Sequence, residues 1–322
     1  MKIKEIVSAA DKEKYSELAK KLGNIFNSLE WLDIFSDKVK FFGIYEDDGK
    51  LVGGFPLFKE KKFGLNIYQN PPFSPSIGPI MQVDAQNQVA IMDKWKEVLK
   101  LVAELIDSLP YSIVLLSLDK KIVDTQPFIW RKFKINPCYT YVLDLNKSIE
   151  EIQKEMSKER RNDISKALKD NLISKKVNDV KEVKLLINKT FLRQNKKIKE
   201  YYLDKILFNF SNDSNSYAFV TFEGEKPIAA SFCIYDRDTA YYLLGGYDDK
   251  SKHHGAGALA MWEAIKYAKE LGIKYFDFEG SMVPQIEKYF RGFGGKLTPY
   301  YKISKARLFI EIILKFFKRG TF

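Results

Sequence analysis

Three blocks of sequence occur twice in this chain, in the same order, and that duplication limits the fold more than any other feature. Phe41 to Tyr45 is strand-like, Glu46-Asp47-Asp48-Gly49 is a turn, and Lys50 to Phe58 returns as a second strand. Tyr217 to Phe222, the turn Glu223-Gly224-Glu225 and Lys226 to Tyr235 repeat this hairpin, with Lys50, Val52, Gly53 and Gly54 matching Lys226, Ile228, Ala229 and Ala230. Trp95 to Asp107 has apolar residues at helical spacing and feeds the buried-strand run Ile113-Val114-Leu115-Leu116. Its counterpart is the helix Ala258 to Leu271, stopped by Gly272 and followed by the strand Ile273 to Phe278. Last, Trp130-Arg131-Lys132-Phe133 with Tyr139 and Tyr141 echoes Phe290-Arg291-Gly292-Phe293 with Tyr300 and Tyr301.

Each copy reads helix, helix, antiparallel hairpin, helix, strand, short helix, strand, which predicts an α/β fold with a mixed sheet flanked by helices. A length of 322 residues allows two cores, and the pattern predicts domains at 1–145 and 146–322 with a boundary near Leu145. Cys138 and Cys233 lie far apart, so neither a disulfide framework nor a thiolate metal site is expected. Met1-Lys2-Ile3-Lys4-Glu5 lacks a signal-peptide core and no apolar run is long enough to span a bilayer, so a cytoplasmic location is expected. The net charge of +11 favours anionic partners: nucleotides, phosphorylated cofactors, tRNA or acidic lipid. Lysines that only solvate the surface account for such an excess equally well.

The chemistry concentrates in the second copy. Lys252-His253-His254-Gly255-Ala256-Gly257 lies after a strand and opens the Trp262 helix. Glycines there let backbone approach a ligand, and free amides at the positive end of a helix favour a phosphate. Gly255 to Ala260 also spells a dinucleotide fingerprint, with Asp277 downstream. The spacing opposes that reading, because some ten residues separate Leu244 from Gly255 whereas a dinucleotide turn follows its strand directly.

This loop resembles the pyrophosphate loop of the GNAT acyltransferases, Arg/Gln-x-x-Gly-x-Gly/Ala, with Lys252 at the position of Arg or Gln. Asp277-Phe278-Glu279-Gly280-Ser281 and then Tyr289-Phe290-Arg291-Gly292-Phe293-Gly294 resemble the FemABX branch in particular. The resemblance implies two tandem GNAT-like domains. It also implies transfer of an acyl or aminoacyl group to an amine, commonly on a cell-envelope or polysaccharide precursor. The donor would be acyl-CoA or aminoacyl-tRNA, used as a substrate, with no tightly bound cofactor.

Such a reaction needs a proton acceptor for the amine and a proton for the leaving group. Glu279 is the first candidate base, with Asp277 beside it, while Tyr289 could protonate the leaving thiolate or 3′-oxygen. Alternatively the two carboxylates cap the next turn or pair with Arg291. His253, His254, Gly255 and Gly257 join Lys252 as donor-binding candidates. Arg291, Ser281, Arg160, Arg161 and Trp31 are acceptor-binding candidates, Arg291 because its planar fork suits carboxylate or phosphate. For Arg160 and Arg161 a solvated helix face is the simpler alternative, and for Trp31 a place in the core. No metal site is expected, since the two histidines lack partners at ligand spacing. The apolar stretch 308–317, flanked by Lys302, Lys305, Arg307, Lys318 and Arg319, suits peripheral contact with the inner face of a membrane beside an anionic, small-molecule or lipid-linked acceptor. Packing on its own domain or on a second subunit competes with that. Two other functions fit the sequence, a binding module without turnover and a tRNA-binding protein.

Overall fold

The repeated strand and helix signals become two units of the same design in the computed structural model, which describes residues 1–251, 253–280 and 282–317. One unit holds Met1–Cys138 with the segment from Pro299, and the other holds Tyr139–Thr298. The strands of the first are β1 (Lys2–Glu5), β2 (Val39–Tyr45), β3 (Leu51–Lys62), β4 (Leu65–Gln69), β5 (Ile80–Met81) and β6 (Ile113–Ser117). After them β7 (Lys134–Asp144) leads into the second unit, with β8 (Ile173–Val177), β9 (Ser216–Glu223), β10 (Lys226–Tyr235), β11 (Thr239–Tyr247) and β12 (Tyr275–Asp277). Finally β13 (Lys296–Ala306) returns the chain to the first.

Within the first unit the strands run in the order β1-β2-β3-β4-β6-β13 and within the second β8-β9-β10-β11-β12-β7, and the two orders correspond strand for strand. In each, one parallel pair (β4 with β6, β11 with β12) is closed by an antiparallel strand, β13 on β6 and β7 on β12. The expected extent of the second domain, 146–322, is corrected accordingly: Lys302–Ala306 pairs with Ser117–Ile113 of the first unit. The chain end follows it there, because Ile310 and Leu314 of the helix Leu308–Phe317 pack with Leu65, Ile67 and Leu115.

The period-2 alternation along β6 separates two faces. Val114 and Leu116 face the helix Gln88–Ser108, which buries Val98, Leu99, Val102, Ala103 and Ile106, whereas Ile113 and Leu115 face the terminal helix. In the second unit the helix Ala256–Glu270 buries nine residues, five of them alanine, so it can approach its sheet closely. Three sheet hydroxyls fix its axial position: Thr221 Oγ1, Ser231 Oγ and Tyr217 Oη donate to the carbonyls of Ala256, Ala260 and Ala264 at 3.1, 3.0 and 3.0 Å. Those carbonyls are four residues apart, hence on one helix face. The other side of the sheet carries the helix Lys181–Arg193, whose Leu186 packs so tightly on Gly246 that a Cβ there would come within 2.6 Å of backbone.

The copies differ most along one strand. In the second unit β11 runs unbroken beside β10, with Ala229 and Ala230 opposite Tyr247 and Gly246. In the first, β4 ends at Gln69, the loop 70–79 leaves the sheet, and β5 returns to pair with Gly53 and Gly54. Glycine is required at 53 because a Cβ would lie 2.1 Å from the Ile80 carbonyl oxygen.

Candidate active site

Strands β11 and β12 pair only over Thr239–Tyr241 and Tyr275–Asp277. A bulge then shifts β11 against β10, since Phe232 faces Leu244 while Cys233 faces Tyr242. Beyond Tyr241 the two parallel strands part, and the chain leaving β11 reaches the helix that starts at Ala256. Among the described residues no side chain caps that start at Gly255. The equivalent helix of the first unit is capped, because Asn87 Oδ1 accepts from the Ala90 amide at 2.9 Å. The same helix end is therefore closed in one copy and open at Gly257 and Ala258 in the other.

The two glycines serve different purposes. A Cβ at Gly255 would lie 2.2 Å from the Asp163 carbonyl oxygen, so this glycine lets the helix Lys158–Lys169 cross over the start. At Gly257 a Cβ would meet, among the described residues, only Tyr289 Oη, at 3.5 Å. His253 braces the entry: its Nδ1 accepts from the Gly255 amide at 3.2 Å, which leaves the ring proton on Nε2 to bond Asp170 at 3.1 Å. That bond, ahead of the nearby Lys166, holds the Asp170 carboxyl below its ordinary range. With both ring nitrogens engaged, His253 supports the loop rather than facing a ligand, while His254 is exposed. Lys252 and Ser281 lie outside the described residues.

At the end of β12 the chain turns through two left-handed residues, Glu279 at φ +58° and Gly280 at φ +63°. Asp277 is 3% exposed and holds this turn, since its Oδ1 accepts from Thr140 Oγ1 at 2.5 Å and from the Glu279 amide at 2.9 Å. Thr140, its partner in this anchoring role, lies far away in sequence. An aromatic cluster links the turn to the helix start. Phe278 stacks on Phe290 at 5.5 Å and lies 5.4 Å from Phe293; Tyr289 contacts both, and its hydroxyl is the group facing Gly257. Burial pushes the Tyr289 hydroxyl up to about 12, with the Arg160 charge opposing, so it stays protonated at neutral pH.

Arg160 is 5% exposed, with its guanidinium 4.2 Å above the Tyr289 ring and 5.2 Å from that of Phe293. Its Nη1 donates to Asp163 Oδ2 at 2.6 Å, and its Nε has no partner among the described residues. The two rings and the Asp163 carboxylate compensate the burial of this cation. A cycle of Arg160→Met, Asp163→Asn and the double variant checks the ion pair by urea unfolding. Arg160→Met should cost about 1.5–3 kcal/mol, and the double variant less than the sum of the singles.

The remaining candidates separate. Arg161 donates to the carbonyls of Lys154 and Met156 at 3.1 and 2.6 Å, closing the C-terminal end of the helix Ile149–Glu155. Trp31 belongs to the first unit, is wholly buried and donates from Nε1 to Ser74 Oγ at 2.8 Å, so its assignment to substrate is corrected to core. Arg291 is exposed and donates to Glu287 Oε1 at 2.8 Å rather than pairing with Asp277 or Glu279. Tyr141 donates to the same oxygen, and these bonds, Tyr141 first, hold the Glu287 carboxyl below its ordinary range. The Glu287–Arg291 spacing of four was readable in sequence, but Tyr141 was not.

Residues 212–291 match the model of the acetyltransferase (GNAT) domain. No curated protein matches the chain in sequence. Among solved structures, FemX is similar at 12% identity over 94% of this chain and 97% of its own, with a TM-score of 0.64. The C-terminal DUF2156 domain of an Agrobacterium fabrum protein assigned as a lysylphosphatidylglycerol synthetase is 10% identical, covering 95% of each chain, with a TM-score of 0.60. A tandem GNAT protein of the clavulanic acid biosynthesis pathway is 9% identical over 94% of this chain and 98% of its own, with a TM-score of 0.50. Residues 212–291 thus match a GNAT domain, and the whole chain has a fold similar to those of FemX and of the tandem GNAT protein.

Proposed function

We propose that the chain is an N-acyltransferase that moves an acyl or aminoacyl group from acyl-CoA or aminoacyl-tRNA to an amine on a cell-envelope or polysaccharide precursor. The observation that carries this reading is the uncapped helix start at Gly257, with the Tyr289 hydroxyl in front of it. The amides of Gly257 and Ala258 take the donor's phosphate, with the charge of Lys252 and the imidazole of His254 as further donor-binding groups. The acceptor nitrogen attacks the donor carbonyl, so that a C–N bond forms as the C–S or C–O bond breaks. Glu279 takes the proton lost by the amine, and Tyr289 gives one to the departing sulfur or oxygen. Arg291 and Ser281 meet an anionic acceptor, either a small molecule or one carried on lipid. A reaction at the inner face of the membrane, with peripheral contact through 308–317, belongs to the same reading, and the lipid named in the Agrobacterium relative's assignment supports it.

A thermal-shift panel of acetyl-CoA, longer acyl-CoAs, uncharged tRNA and nucleotide sugars tests the reading. A ligand at about 100 times its Kd adds about 2.7 kcal/mol, a rise of roughly 5–10 °C for units of this size. Acyl-CoA should give that rise, and Gly257→Val, which places a branched side chain against Tyr289 Oη, should remove it. A rise with tRNA but no turnover would favour a tRNA-binding protein. No rise with any member of the panel would favour a binding module of another kind.

A further inference from the structure

We propose that the first unit carries a docking surface for an anionic bilayer, built from two elements, the β3–β4 hairpin tip and the outer face of the helix Leu308–Phe317. The tip is Phe63, 102% exposed and at φ +49°, followed by Gly64 at φ +79°. Two positive φ values define a tight hairpin turn in which sterics favour Asn or Gly at both places, so an aromatic side chain is held out in water against local preference. Lys61 and Lys62 flank it, both exposed, with Lys62 also 3.2 Å from Glu60. Two residues past Phe63, Leu65 packs in the same apolar cluster as Ile310 and Leu314, so the tip and the helix are neighbours. With Ile310 and Leu314 turned inward, the helix leaves Leu308, Phe309, Ile312 and Ile313 in solvent, at 76, 76, 49 and 42% exposure. Its acid, Glu311, is paired with Lys134 at 3.2 Å, while exposed Lys302 and Arg307 stand at its start.

Charge complementarity selects the occupant. Cations border the apolar side chains at the tip and at the helix start, and the whole chain carries +11, which suits anionic headgroups above hydrocarbon. A fluid acyl layer accepts separate protruding side chains from two elements without a matching pocket. No described helix is long and apolar enough to cross a membrane, so the contact is a surface one. Docking needs no turnover, so its failure and the failure of the transferase reading are seen separately.

The full chain is centrifuged with vesicles of phosphatidylcholine alone or mixed with phosphatidylglycerol. Binding is expected to the mixed vesicles and to weaken at high salt. Phe63→Ser, and separately Phe309→Ser with Ile312→Ser, should each lower partitioning about tenfold or more, with unchanged circular dichroism and Tm because the side chains lie in water. Absence of binding to the mixed vesicles, or binding that the serine variants leave intact, overturns the proposal. So does a wild-type dimer in sedimentation velocity that these variants dissolve, since a second copy would then cover the face.

Discussion

Glu279→Gln is expected to slow transfer by about 100- to 10,000-fold, the range for losing a positioned general base, while leaving Tm within about 2 °C. The amide keeps the shape of the carboxylate and its backbone bond to Asp277, so the loss should fall on kcat and leave donor binding intact. Thiol release from whichever acyl-CoA stabilises the protein, measured with an amine acceptor present, provides the assay. Glu279→Gly separates chemistry from stability further. At φ +58° glycine relieves a left-handed strain, so that variant should lose activity and unfold no more easily than the wild type. Full activity in either variant removes Glu279 from the mechanism.

Gly280→Ala should have the largest effect on stability. The new methyl would sit 2.1 Å from the Tyr139 carbonyl oxygen, at a residue already at φ +63°. Left-handed strain and overpacking together imply a loss of about 3 kcal/mol, read from the urea midpoint with an unchanged slope. Transfer should fall as well, because the turn that presents Glu279 leans on that backbone. A loss under about 1 kcal/mol would mean that β7 yields easily, and that the turn is not a fixed support.

The parts of this account that were legible in sequence are those set by short-range chemistry. The hairpins at Gly49 and Gly224, the helices stopped near Ser108 and Gly272, and the order of the blocks all follow from turn residues and periodicity within a few positions. What escaped depends on distant partners. Nothing near Lys302 marks it as the neighbour of Ser117, so the place of β13 beside β6 has no local signal and sequence pattern alone assigns Lys302–Ala306 to the second domain. Asp277 looked like a catalytic carboxylate because its partner Thr140 stands 137 residues earlier. Trp31 follows a helix cap as a slot-lining aromatic also would, and only burial identifies it as core. Gly255 and Gly257 look alike in sequence, yet one is crowded by a crossing helix and the other has the Tyr289 hydroxyl before it at ordinary contact distance.

The contrast between the capped start of the Gln88–Ser108 helix and the uncapped start of the Ala256–Glu270 helix is the central claim, and labelled glycine amides report on it directly. Protein labelled with 15N-glycine is titrated with coenzyme A and, in a second tube, with uncharged tRNA. One of the two is expected to move the Gly257 resonance in a saturable way, while Gly53, Gly54 and Gly78 of the first unit stay in place. Saturable shifts at the first-unit glycines with Gly257 unmoved would contradict that claim.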